Sequence, residues 1–232
     1  MKPELHLEVL SEDRSGCVVL QSLITGILKN ERQPFTLALR AHRGKGKALP
    51  IEDALTPPPF SSGLLDLLPA KLKAYDEVYA GRRFVAVVVM DSDSDAPRSV
   101  YNTVRDMCRR YAPSLPHAIG ISVEEIESWL LADERAILAA YPQADLSQKN
   151  NYIQDSVCGT WEVLARVLLG DRARELIRIG YPAVGQYKQE WANRISAHLN
   201  PADNRSPSFH SFRKEILRSV ATFPPETEAK PT

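Results

Sequence analysis

The chain has 232 residues, 44% of them apolar and 25% charged, a balance that builds a globular core and argues against a disordered chain. Its 29 basic and 29 acidic residues cancel, which argues against a histone-like polycation and an acidic tail protein but leaves room for a basic face. The three cysteines, Cys17, Cys108 and Cys158, form no C-x-x-C pair, so neither a disulfide scaffold nor a zinc ribbon is expected, and the usage fits a reducing cytoplasm.

The opening residues Met1-Lys2-Pro3-Glu4 lack the apolar region of a signal peptide. Leu5 to Leu10 alternates apolar and polar residues and predicts a strand, followed by the polar turn Ser11 to Gly16. Cys17 to Leu28 places Val19, Leu20, Leu23, Ile24 and Ile27 at helical spacing. Phe35 to Leu39 predicts a second strand, followed by the basic, glycine-containing loop His42 to Lys47 and the rigid Pro57-Pro58-Pro59 segment. A helix is expected over Leu64 to Tyr79. Phe84 to Met90 is a β-branched apolar run that predicts a strand buried on both faces. It is the longest wholly apolar run and far short of the roughly 20 residues of a membrane helix, so no membrane partner is expected. The loop Asp91 to Asp95, a helix over Pro97 to Tyr111, a strand over His117 to Ile121 and a long helix over Ser122 to Tyr141 follow. Further helices are expected at 160–169, 171–178, 186–199 and 208–221. The β-α-β-α-β-α-β order predicts an α/β core over residues 1–122, a parallel sheet of about four strands with helices on both faces. A helical C-terminal region over 123–222 packs on it, and 223–232 reads as a disordered tail.

Glu12 follows the first strand, and Asp91, Asp93 and Asp95 follow the third. In an open parallel sheet both positions lie at the carboxyl edge, where ligands bind near the reversal of strand order. Carboxylate oxygens are hard donors that suit Mg²⁺ or Mn²⁺, and a divalent cation relieves the repulsion between close acids. The plainer reading of the aspartates is a solvated loop, with Asp95 or a neighbouring serine capping the helix near Pro97.

Glu12 after the first strand and Asp91-x-Asp93 after the third, in this frame, resemble a Toprim domain, the fold found in topoisomerases, primases and OLD-type nucleases. The rest of the chain resembles a bacterial family of unknown function with a Toprim-like core, related to OLD-family nucleases and to proteins encoded beside ABC-type ATPases. The residues carrying the likeness are Arg43-Gly44-Lys45-Gly46, Asp91-Ser92-Asp93, the block Ile126 to Asp133, Tyr187-Lys188 with Glu190, and Arg205-Ser206 with Ser208, Phe209 and Phe212. The resemblance implies that Glu12, Asp91 and Asp93 hold Mg²⁺ for phosphodiester chemistry. It also implies an ABC-type or OLD-type ATPase partner and a part in defence against phage.

Five acids and no base lie between Ile121 and Glu134. On one continuous helix, Glu124 and Glu127 share a face at i, i+3. Glu127 sits beside an apolar stripe, where an acid needs a partner, a cation or a proton. It is read as a further acid of the site, whereas Glu124 and Glu125 are read as complementing the helix dipole. Trp129, Trp161 and Trp191 are read as core, and Cys17 and Cys108 as packing residues.

Six bases lie between Lys29 and Lys47 against one acid. Arg43, Lys45 and Lys47 follow the second strand, on the same edge as the acids, where glycines let a backbone approach phosphate. A flexible solvated loop is the plainer alternative, and the P-loop pattern is absent. Lys188 and Arg205 are candidate cations for phosphoryl chemistry if the helical region folds back over that edge. Ser206 and Ser208 are read as the cap of the last helix.

Three readings follow. The leading one is a Mg²⁺- or Mn²⁺-dependent nuclease in which Glu12, Asp91, Asp93, Asp95 and Glu127 form the acidic cluster. Lys188, with Lys45, stabilises the transition state, and Arg43, Lys45, Lys47 and Arg205 hold DNA or RNA. The second is a non-catalytic Toprim-like module that docks on an ATPase or nucleic acid. The third is a phosphatase-like protein acting on a small substrate. A homodimer is compatible with all three.

Overall fold

The computed structural model describes residues 4–29 and 34–223. All but the first residue of the expected C-terminal tail lies outside them. The first half contains β1 (Leu5–Ser11), α1 (Arg14–Leu28), β2 (Phe35–Ala41), α2 (Leu64–Tyr79), β3 (Phe84–Asp91), α3 (Pro97–Tyr111) and β4 (His117–Ser122). The four strands pair in parallel in the order β2-β1-β3-β4. The chain steps outward from β1 to β2, then returns past β1 to β3 and β4. The order therefore reverses between β1 and β3, and the ends of those two strands flank the crevice where such sheets bind ligands.

The sheet is covered on both faces, as the unbroken apolar run of β3 requires. Odd-numbered positions Leu5, Leu7, Val9, Val85, Val87 and Val89 pack with α1 and the C-terminal helices. Leu10, Phe84, Ala86, Val88 and Met90 face the other way, against α2 and α3. The period of two along each strand sorts side chains between the two layers.

The second half consists of α4 (Glu127–Leu131), α5 (Glu134–Ala140), α6 (Thr160–Leu169), α7 (Ala173–Ile179), α8 (Ala183–Ser196) and α9 (Pro207–Ala221). These helices share one core with the α1 side of the sheet: α8 lies on α1 and α9 lies along β4. Gly120 of β4 makes the close approach possible. A β-carbon there would stand 2.7 Å from the Phe212 ring and 3.2 Å from that of Trp129. Trp129 and Phe212 stack with ring centres 5.3 Å apart, and the indole N–H donates to Ser208 Oγ at 2.8 Å. Trp129 and Trp191 are thus core residues, as expected, and Trp161 packs at the margin of that core. Cys108 is buried and Cys17 half-buried.

The expected long helix over 122–141 is not continuous. Glu124 has a φ of 60°, in the left-handed region, so it cannot share a helical face with Glu127. The chain breaks again at Ala132-Asp133, where Asp133 caps α5 by accepting from Ala136 N–H at 3.0 Å. Among the described residues no helix is long and apolar enough to cross a membrane.

Candidate active site at the carboxyl edge

The turn after β1 divides its acids between two tasks. Asp13 caps α1, accepting from Gly16 N–H at 2.6 Å and from the Ser15 hydroxyl. Gly16 is required there, because a β-carbon would stand 2.6 Å from Ser11 Oγ. With Asp13 occupied by the helix, Glu12 turns across the strand order reversal, and its Oε1 accepts from Asp91 N–H at 2.9 Å.

Asp91 ends β3 on the odd-numbered face, opposite Ser122 in register. The Ser122 hydroxyl donates to Asp91 Oδ1 at 2.6 Å. Burial, then the charges of Glu12 and Glu127, push the Asp91 carboxyl well above the usual carboxylate range. Burial likewise pushes Glu12 up to about 7, against the lowering effect of the Asp91 N–H, with the Asp93 charge adding to the rise.

The helical half brings three more groups to this face. Glu127 is buried at the first position of α4, and Lys188 is buried on α8. Lys188 Nζ lies 3.1 Å from Glu127 Oε2 and 3.4 Å from Glu125 Oε1, and it donates to the Tyr181 hydroxyl at 3.4 Å. The contact with Glu127 lacks hydrogen-bond alignment, so Glu127 Oε2, like Glu125 Oε2, is a buried acceptor with no hydrogen bond. Burial and the Glu127 charge raise Glu125 to about 7. Lys188 is held well above its ordinary value; burial opposes this, but the carboxylates of Glu127 and Glu125 outweigh it.

The remaining candidates lie apart. Asp93, at a φ of 51°, and Asp95 turn outward, each more than half exposed, and are bound by Lys45. Lys45 Nζ donates to Asp93 Oδ2 at 3.0 Å, Asp95 Oδ2 at 2.8 Å and the Ser92 carbonyl at 3.2 Å. Asp95 therefore does not cap α3; its N-cap is Ala96, with no side-chain bond. Arg43 and Lys47 are exposed on the same loop as Lys45. That loop is fixed by backbone bonds from Gly44 N–H to the Glu12 carbonyl at 2.9 Å and from Leu65 N–H to the Lys45 carbonyl at 2.8 Å. Arg205 stands elsewhere, in a hollow with Asp133, Glu134 and Asp203, where its charge acts on Glu134 rather than on the acidic cluster. Ser206 caps α9 as expected, accepting from Phe209 N–H at 3.1 Å, whereas Ser208 lies inside the helix and its hydroxyl serves the Trp129 indole instead.

Two roles differ from the sequence reading. Glu124 is an anion at a helix N-terminus, but the helix is α6: its carboxylate accepts from the N–H groups of Cys158, Gly159 and Thr160 and from the Thr160 hydroxyl. Glu125, expected to serve a dipole, instead faces Lys188. Its recruitment depends on a lysine more than sixty positions away, so only the neighbouring apolar Ile126 hints that it is buried.

A divalent cation suits these donors in kind. Glu12, Asp91, Glu125 and Glu127 offer hard carboxylate oxygens, two of them buried without a hydrogen bond. Glu12, Asp91, Gly16 and Ile126 line a hollow no larger than a single ion or water. Among the described residues, no three His, Cys, Asp or Glu side chains stand together at ligand spacing. No family model matches the chain, and neither a curated protein nor a solved structure does.

Proposed function

We propose that this protein is a divalent-metal-dependent nuclease with a Toprim-like core. The observation that carries the reading is the meeting of Glu12 and Asp91 at the strand order reversal, facing buried Glu127 and Lys188. Mg²⁺ or Mn²⁺ would be held by Glu12 and Asp91, and Glu127 would join them by moving closer, since the three do not stand at ligand spacing; Asp93 lies at the rim. When bound, the ion polarises a phosphate and lowers the pKa of an attacking water.

The chain's own residues supply the rest. Ser122 fixes the Asp91 carboxylate through its hydroxyl, and the Asp91 N–H fixes that of Glu12. Lys188 places a positive charge in a site screened from solvent, where it offsets charge gathering on a phosphate far better than it would in water. Lys45 sits beside Asp93 and Asp95, on the loop that carries Arg43 and Lys47. The resemblance carried by the Ile126–Asp133 and Arg205–Phe212 blocks implies an ABC-type or OLD-type ATPase partner and a role in phage defence, the cysteine usage fits a reducing cytoplasm, and a homodimer is compatible with both.

A second reading, a non-catalytic docking module, draws on one observation: Lys45 already bonds to both Asp93 and Asp95. The two are separated by calorimetric titration with Mg²⁺ and Mn²⁺, paired with plasmid and tRNA cleavage, on wild type and on Glu12→Gln/Asp91→Asn. The nuclease reading expects metal binding and cleavage, both lost in the variant. Absence of metal binding by the wild type would sink it and leave the docking module.

A further inference from the structure

Beside the acidic cluster, the loop after β2 and the segment leading into α2 enclose a hollow lined by Arg40, His42, Arg43, Ser61, Ser62 and Lys71, without an acid. Arg40 is tied through Nε to Glu8 at 2.7 Å. Among the described residues, Arg43 and Lys71 have no carboxylate partner. Two hydroxyls and two uncommitted cations around one concavity are the donors that bind successive phosphates.

The residue before Ser61 is Phe60, whose side chain stands wholly in solvent, the most exposed of the large apolar residues described, with a relative exposure of 102%. It follows Pro57-Pro58-Pro59, and its φ of 68° is one that a phenylalanine rarely adopts. Backbone bonds hold the loop in place: Ser61 N–H donates to the Pro58 carbonyl at 3.1 Å, and Arg43 N–H donates to the Ser62 carbonyl at 2.8 Å. The next residue of that basic loop, Gly44, bonds to the carbonyl of Glu12 itself. An aromatic ring displayed this way costs apolar exposure and backbone strain, and gains nothing from the core.

We propose that this hollow and Phe60 form a subsite for single-stranded nucleic acid. Arg43 and Lys71 hold the phosphates, and an unpaired base stacks on Phe60, which feeds the strand along the carboxyl edge toward Glu12 and Asp91. The inference deepens the nuclease reading and rests on it for the direction of the strand, but not for binding. A duplex keeps its bases stacked inside and offers Phe60 a face only at its ends, so the subsite prefers unpaired strands.

The test is fluorescence anisotropy with labelled 20-nucleotide single-stranded DNA, single-stranded RNA and duplex DNA, in EDTA, over a salt series. Wild type is expected to bind single strands more tightly than duplex. Phe60→Ala should weaken single-strand binding about tenfold with the salt dependence unchanged. Arg43→Ala/Lys71→Ala should weaken it and flatten the log–log salt slope by about 1.4. Circular dichroism would confirm that both variants fold. Binding unchanged in both variants, preference for duplex, or no binding of single strands by wild type would overturn the proposal. Glu12→Gln/Asp91→Asn keeps the separation clean. Intact strand binding without cleavage by any variant or wild type would defeat the nuclease reading alone. Cleavage of single strands that is indifferent to Phe60, Arg43 and Lys71 would defeat the subsite alone.

Discussion

Within five residues, the end of β3 and the loop after it supply two ion clusters that follow opposite physics. Asp91 belongs to the buried one, with Glu12, Glu125, Glu127 and Lys188. Asp93 and Asp95 belong to the exposed one, with Lys45. The exposed cluster sets one lysine between two aspartates, but it is open to water, so its pairing contributes little stability and its surplus charge costs little. The buried one gathers four acids around one lysine, and every unbalanced charge there is expensive. A site of the first kind is a surface feature that can rearrange. A site of the second kind stores electrostatic tension, which a proton or a divalent cation relieves.

The sharpest contrast comes from matched substitutions in the two clusters. Asp91→Asn should lower metal-dependent cleavage at least a hundredfold, roughly the loss of several kcal/mol of transition-state stabilisation. Asp93→Asn should lower it about tenfold or less, since that carboxylate stands at the rim. Steady-state cleavage on one oligonucleotide measures both, and equal losses would erase the distinction. Asp91→Asn should also raise the melting temperature in EDTA near neutral pH, because folding no longer has to load a proton onto that buried carboxyl.

Next in size is Lys188→Met, which leaves Glu125 and Glu127 buried without their counter-charge. Urea denaturation at about pH 8 should show a loss of about 3 kcal/mol, with Lys188→Met/Glu127→Gln recovering much of it.

The acids predict a pH dependence of stability in the absence of metal. Glu12 and Glu125 are each pushed up to about 7, so the folded state holds protons that the unfolded chain has released. The stability from those protons is full below the ordinary carboxylate value and is lost as pH rises through about 7. Melting temperature in EDTA should fall by several degrees between about pH 5 and pH 8, and Mg²⁺ should flatten the fall. A profile that is flat in EDTA would mean the buried cluster carries no such tension.

The smallest effect belongs to the exposed cluster. Lys45→Ala should cost less than about 1 kcal/mol, and the cost should shrink further in high salt.

Much of the fold was legible in the sequence. Phe84 to Met90 announces a strand buried on both faces because β-branched apolar residues in an unbroken run fit little else. Pro97 to Tyr111 was legible because proline at the start and a one-sided apolar stripe fix where it begins and which face it buries. The region after β4 was not. One apolar periodicity serves a single long helix and two short ones equally, and the break is decided from far away. Glu124 is drawn off to α6, while Asp133 binds both Ala136 N–H and Asn200 N–H. The site divides similarly. Glu12 and Asp91 follow from strand order, which sequence reveals. The company of Glu125 and Lys188, and the separation of Arg205, follow from how the helical half lies on the sheet, and no local pattern encodes that.

The lysine of the buried cluster lies on α8, and the helix that covers β4 is α9, the last element of the described chain. During synthesis the acids of β1 and β3 leave the ribosome long before either. A nascent chain that has emerged only as far as β4 therefore has its acids without their counter-charge and Gly120 without its covering helix. The acidic centre gains its counter-charge only once α8 has been made, so its electrostatics depend on a helix far downstream of the strands that carry Glu12 and Asp91.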